Sequence, residues 1–244
     1  MTRRALLFLH MDDDNPGRFG DFLRADGFSI DTVMVHRGES PPAFAAYDLL
    51  LVMGGPMDVW QVGEHPWLEA EKEAIAAWVR DRARPFIGFC LGHQLLAEAL
   101  GGTVGMASRE EIGIFDITLT EAGRRHPVFA GLPSTFTTTQ WHHAEIKTLP
   151  PGGVSLAASA TTPVQALAVG DVALGIQFHA EWKSEFIAAW KFLPSYVKAM
   201  ETALGPGAHA KFVADAAAIM PQYHLIGRRL YDNVMRLAGF SVPA

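Results

Sequence analysis

The chain has 244 residues, 49% of them hydrophobic and 19% charged, a balance that supplies a large buried core. A formal net charge of -6 without any Lys/Arg run lacks the electrostatic footprint of a nucleic-acid binder, so a small-molecule partner is expected. The one cysteine, Cys90, excludes an internal disulfide and a Cys-rich zinc site, and it suits a reducing, cytoplasmic setting.

In chain order, Ala5 to Leu9 is an apolar run that stops before Asp12-Asp13-Asp14, so it reads as a first strand rather than a secretory signal. The acidic triplet reads as a solvated loop, because the glycine and closing glutamate of a calcium loop are missing. Phe28 to Val35, Leu49 to Met53 and Phe86 to Gly88 are further strands, apolar enough to be buried and parallel. Between them, Phe19 to Asp26 and Trp67 to Arg82 have helical periodicity. The second sets Trp67, Ile75, Trp78 and Val79 on one face and has Pro66 at its start. This alternation predicts an α/β fold, an open, mostly parallel sheet with helices on both faces.

After Gly101-Gly102 the pattern changes to short β-prone pieces at Gly113 to Leu119, Phe136 to Gln140, Val164 to Val169 and Val172 to Phe178. Pro133, Pro150 to Gly153 and Gly170-Asp171 punctuate them, which predicts antiparallel or mixed pairing. From Ser184 onward the chain reads as helical, with Pro206-Gly207 and Pro221 dividing it into about three helices. Phe186, Trp190, Phe192, Tyr196, Phe212, Tyr223, Leu230 and Tyr231 give this tail the apolar area to complete one face of the sheet, and a homodimer contact is a second role for it. No repeat or linker interrupts the chain, so one domain is expected, with a sheet core over 1–183 and a helical C-terminal extension over 184–244. No apolar run reaches the roughly 18 residues of a bilayer span, so no membrane partner is expected.

The chemistry concentrates in two stretches. In Gly88-Phe89-Cys90-Leu91-Gly92, a strand runs into a helix that begins around Gly92. A strand-to-helix turn this sharp needs residues without Cβ beside it, as in a nucleophile elbow, and the helix N-terminus below would favour thiolate over thiol. The same short pattern also suits a small buried core cysteine. In the second stretch, Gln177-Phe178-His179-Ala180-Glu181, alternation puts His179 and Glu181 on one face of an apolar strand. The imidazole can then act as base while the carboxylate orients it, although a purely structural pair has the same pattern. His93, three residues after Cys90, reads as a packed or capping residue. The set His142, His143, His179 and Glu181 lacks the paired helical spacing of a metal site, so neither metal nor cofactor is expected.

Taken in order, Met53-Gly54-Gly55-Pro56, Gly88-Phe89-Cys90-Leu91-Gly92-His93-Gln94 and Gln177-Phe178-His179-Ala180-Glu181 resemble the three signature stretches of class I glutamine amidotransferases, in particular the stand-alone, GMP-synthase-like branch. Glu111 to Phe115, Gln140 to His142 and Gln165-Ala166 support the likeness up to Trp182, with a weaker echo in Arg228 to Asn233. The resemblance implies a flavodoxin-like three-layer fold and a Cys90-His179-Glu181 triad. It also implies an oxyanion hole from the amides of Gly55 and Leu91, and substrate contacts at Gly54, Gln94, His142 and His143. Two positions depart from the family pattern. His142-His143-Ala144 stands where relatives often have His-Gly-Asp or His-Ser-Leu, and Ala180 stands where most have proline.

The implied activity is hydrolysis of the glutamine side-chain amide through a γ-glutamyl thioester, with ammonia passing to a separate synthase. A free hydrolase of γ-glutamyl amides or peptides is the alternative, and a non-catalytic binding module on the same scaffold is a third. No P-loop or ATP pyrophosphatase segment occurs, so this chain by itself is not a complete ATP-dependent amide synthase.

Overall fold

The central strands are apolar on both sides, and the two sides pack against different layers. Ala5, Leu7 and Leu9 of the first strand join one hydrophobic core while Leu6 and Phe8 join another. In the third strand Leu49 and Leu51 separate from Leu50 and Val52 in the same way. A strand of period two that is buried on both faces needs helices above and below it.

The computed structural model describes residues 3–81, 83–189 and 192–241. Among these residues, nine strands form one sheet in the order β2-β1-β3-β4-β9-β8-β7-β5-β6. The strands are β1 (Arg3–Leu9), β2 (Phe28–Met34), β3 (Leu49–Val52), β4 (Phe86–Phe89), β5 (Thr103–Leu119), β6 (Thr135–Thr148), β7 (Gly153–Ala158), β8 (Ala166–Val169) and β9 (Ala173–Ile176). β2, β1, β3, β4 and β9 are parallel, and β8, β7, β5 and β6 continue the sheet antiparallel. The expected architecture is therefore present, a parallel sheet with an antiparallel second half.

The helices are α1 (Gly17–Ala25), α2 (Trp67–Ala76), α3 (Leu91–Ala99), α4 (Glu121–Arg125), α5 (Ser184–Ala189), α6 (Pro194–Leu204) and α7 (Ala208–Leu237). α2 and α3 cover one face, burying Leu68, Ile75, Leu91 and Leu95, while α1 and α7 cover the other through Phe19, Leu23, Leu230 and Tyr231. Among the described residues, no helix is long and apolar enough to cross a membrane.

Four expectations need correction. Pro221 does not end a helix, because α7 runs through it. Buried contacts on both sides, Phe212 and Ala216 before it and Tyr223 and Ile226 after it, outweigh a lost hydrogen bond and ring clash worth about 3 kcal/mol. The break falls instead before Pro194, which starts α6. β7 was not expected, since Pro150 to Gly153 reads as a turn, and β5 and β6 extend well beyond the apolar pieces because each supplies the other's ladder across a bulge between Met106 and Glu111. The helix from Trp67 changes to a π-turn at Ala77–Asp81, and Arg82 lies outside the described residues.

The C-terminal tail is only partly core. Tyr223, Leu230 and Tyr231 are buried, but Phe192 is 74% exposed, and Trp190 lies outside the described residues. Leu230 is fully buried between α1 and the sheet. Leu230→Ala is therefore expected to cost about 2–5 kcal/mol through the cavity it leaves. A thermal melt checks this, with a drop on the order of 5–15 °C expected for a chain of this size.

Candidate active site

The parallel strands end on a common edge, and the order β2-β1-β3-β4 has its switch point between β1 and β3, where open α/β sheets form their ligand crevice. A cleft of about 600 Å³ opens there, with Cys90, His179 and Glu181 in its lining.

Cys90 follows β4. Its N–H makes the last bond to the neighbouring strand, donating to the Ile176 carbonyl at 2.8 Å, and the chain then reverses into α3. The reversal holds Cys90 at φ 49° and ψ -103°, a left-handed conformation that an L residue adopts only under strain. The flanking glycines are sterically required. A Cβ at Gly88 would run into the Gly92 carbonyl, and one at Gly92 into the Val52 carbonyl. The turn has the sharp strand-to-helix geometry that the glycine pattern implied.

His179 and Glu181 lie beyond the end of β9, in the segment after it rather than on the strand itself. What orients the histidine is therefore a set of contacts from elsewhere. Its N–H donates to the Thr139 carbonyl at 3.1 Å, and its own carbonyl accepts from the hydroxyls of Thr139 and Tyr223. The ring stacks on Trp182, with centroids 3.6 Å apart. Nδ1 donates to Glu181 Oε1 at 2.6 Å. A carboxylate only accepts, so a proton sits on Nδ1, which leaves Nε2 as the ring nitrogen available to take a proton. Behind this segment, the Arg18 N–H donates to the Glu181 carbonyl and the Arg18 guanidinium to that of Trp182.

The thiol is not activated at rest. Burial pushes the Cys90 pKa up to about 12, with the Glu181 charge adding to the rise, and the Leu91 N–H and Gln177 side chain oppose it too weakly. The expected thiolate at the helix N-terminus is thus overruled by desolvation. The thiol instead donates to the Trp141 carbonyl at 3.7 Å. Alkylation of Cys90 by iodoacetamide without substrate is accordingly expected to run on the order of a hundredfold or more slower than that of free cysteine at about pH 8, rising with pH. Mass spectrometry reads this from the one thiol present, and a rate equal to that of free cysteine would mean a resting thiolate.

The remaining residues of the sequence analysis also reach the cleft. Gly54 packs where a Cβ would lie 3.5 Å from both Cys90 Cβ and His179 Cε1. Gly55 fits between His10 and Leu91, where a Cβ would come within 2.8 and 2.9 Å of their side chains. The Gln94 side chain donates to Gln177 Oε1 at 3.0 Å and to the Ala144 carbonyl at 3.3 Å, which makes it part of the wall. Each imidazole is committed to a different carboxylate: His142 to Glu111 at 2.9 Å, His143 to Asp58 at 2.8 Å and His179 to Glu181.

One assignment changes in part. Asp12 and Asp13 are exposed as expected, Asp12 pairing with His36 and Arg37 and Asp13 at the margin of the cleft, but Asp14 lines the cleft half-buried and desolvation raises its pKa to about 7. Its place just after β1 at the switch point was the available signal for this role. Trp141, Phe186 and Tyr196 also line the cleft, two of them supplied by the C-terminal helices, and no local pattern pointed to them.

Comparison with known proteins places this arrangement. The sequence model of the family described as glutamine amidotransferase class-I matches residues 23–186. The glutamine amidotransferase-like protein YfeJ of Salmonella typhimurium is 35% identical over 188 residues, covering 75% of this chain and 78% of its own. One subunit of the glutamine-hydrolyzing GMP synthase from Thermococcus kodakarensis is 39% identical over 98 residues, which are 40% of this chain and 50% of that one. The crystal structure of a glutamine amidotransferase from Thermotoga maritima superposes with a TM-score of 0.85 at 24% identity, covering 98% of this chain and 99% of that one, a likeness of fold. With its family match spanning two thirds of the sequence, the chain belongs to the class I glutamine amidotransferases.

Proposed function

We propose that the protein hydrolyses a γ-glutamyl amide through a covalent thioester on Cys90. The observation that carries this reading is the strained elbow at Cys90 sharing one cleft with a buried imidazole whose Nδ1 is held by a carboxylate. In the reaction, His179 Nε2 takes the thiol proton as Sγ attacks the amide carbon. The tetrahedral oxyanion is met by the N–H groups of Leu91 and Gly55. The C–N bond then breaks, the imidazolium gives its proton to the departing amine, and a thioester remains. Water, deprotonated by His179, attacks the thioester carbon and releases the γ-carboxylate and the thiol. A thiol that is protonated at rest fits a mechanism in which proton removal accompanies attack.

The amino-acid end of the substrate is assigned to the segment around His142 and His143. Since the side chains of Gln94 and His142 are tied into the wall, backbone groups there and His143 are the proposed contacts, with Gly54 against the reacting carbon.

One observation favours a larger substrate than glutamine. The cleft, at about 600 Å³, lies in the range that takes drug-sized ligands, and its lining includes Trp141, Trp182, Phe186 and Tyr196. The second reading is therefore a hydrolase of γ-glutamyl amides or peptides, whereas the GMP synthase relative supports ammonia delivery to a synthase partner. Glutamate release from glutamine, glutathione and γ-glutamyl amines, with Cys90→Ala as control, tests both. Fast turnover of a larger amide favours the hydrolase, robust turnover of glutamine alone favours ammonia delivery, and silence throughout together with no γ-glutamyl adduct on Cys90 would refute catalysis.

A further inference from the structure

A second buried imidazole–carboxylate pair lies behind the Gly54-Gly55 loop, and the triad does not use it. His10 follows β1 and is fully buried, with Trp67 stacked on its ring. Its Nδ1 is 2.8 Å from the Gly54 carbonyl oxygen, and its Nε2 is 3.0 and 3.1 Å from the two carboxylate oxygens of Glu71, a buried residue of α2. A backbone carbonyl can only accept, so Nδ1 carries hydrogen, and against an ionised Glu71, which likewise only accepts, Nε2 carries one too and His10 is an imidazolium. Burial works to lower its pKa, but the Glu71 charge and the hydrogen bonds to Glu71 and Gly54 outweigh that and raise it.

This cation is bonded to a peptide between two glycines. Neither Gly54 nor Gly55 has a Cβ to resist a flip of the peptide between them. The peptide is trans, so its C=O and N–H point in opposite directions. His10 lies behind the loop and does not line the cleft, whereas Gly54 and Gly55 do. A Gly54 carbonyl tied to His10 therefore turns the Gly55 N–H to the opposite side, and a positive charge on the carbonyl makes that N–H a stronger donor.

We propose that the His10–Glu71 pair is a positioning device that holds the Gly54-Gly55 peptide with its N–H facing the oxygen of the tetrahedral intermediate. This rests on the reading of Cys90 as nucleophile. His10 touches neither substrate nor reacting atoms, and it acts through the peptide it holds.

Two isosteric substitutions separate the two ends of the ring. The amide nitrogen of His10→Asn falls near Nδ1 and can still donate to Gly54, while that of His10→Gln falls near Nε2 and reaches only Glu71. The glutamine variant is expected to lose about 10- to 100-fold in kcat with KM little changed, part of the effect of deleting an oxyanion donor, and the asparagine variant should restore most of it. Iodoacetamide labelling of Cys90, which forms no oxyanion, should be the same in both. Crystal structures should show the Gly54 carbonyl reoriented in His10→Gln and retained in His10→Asn. Equal kcat in the two folded variants, or an unmoved Gly54-Gly55 peptide in His10→Gln, would overturn the proposal. The wild-type protein gives a test that needs neither variant folding nor turnover. Nitrogen-15 NMR of labelled histidine at about pH 8 should show His10 protonated at both ring nitrogens, and an unprotonated Nδ1 would overturn the clamp. If these structural results stand while the wild type forms no γ-glutamyl adduct on Cys90, the reading of catalysis fails and the clamp does not.

Discussion

Cys90→Ala is expected to abolish glutamate release, by on the order of a thousandfold or more in kcat, while the protein melts within a few degrees of wild type. In the proposed mechanism the sulfur is the atom that forms the thioester, and no second cysteine exists to replace it. Its structural share is small, because the bond the thiol donates to the Trp141 carbonyl is a long one, and its side chain borders the cleft. Alanine also inherits the same positive φ, so the strain of the elbow is unchanged. Glycine at this position would relieve the strain, and Cys90→Gly is expected to be equally inactive but more stable than the alanine variant, by about 1 kcal/mol. Steady-state assays with thermal melts decide the matter. An alanine variant that keeps more than about a tenth of wild-type kcat would remove Cys90 from the mechanism.

His179→Ala should cost nearly as much, and Glu181→Gln less, since the first removes the proton carrier and the second only misdirects it. The 2.6 Å bond from Nδ1 to Glu181 explains the smaller effect. An amide at 181 can donate as well as accept, which lets the ring shift its proton to Nε2 and lose the lone pair that serves as base. The loss is partial because the amide oxygen at 181 can still accept from Nδ1, and Trp182 with the Thr139 and Tyr223 contacts to the backbone of His179 still holds the residue in place. The two defects act on one step, so they should not multiply. A double variant slower by the product of the single losses would mean that His179 and Glu181 work independently.

Much of the site is readable because its chemistry is local in the chain. Cys90 lies between Gly88 and Gly92, and the backbone reversal there depends on nothing farther away than the adjacent strand. His179 and Glu181 are two residues apart, close enough for their pairing to follow from spacing, although the segment that holds them is not a strand. The electrostatic state of the thiol escapes a sequence reading for the opposite reason. A helix N-terminus is visible in sequence, while the burial that overcomes it comes from the tertiary fold around the sulfur. Asp14 escapes it likewise, since a carboxylate beside Asp12 and Asp13 looks solvated until the cleft is formed around it.

By itself, the sequence determined the alternation of strands and helices, the elbow, the imidazole–carboxylate pair and the likeness to the family, because steric limits and side-chain period act over a few residues. Only the tertiary structure decided how far β5 and β6 extend, that α7 continues through Pro221, that Phe192 faces solvent and that His10 meets Gly54 and Glu71. These outcomes depend on partners that fold in from tens of residues away, and burial against such partners can outweigh local propensity and the charge preferences of the isolated segments.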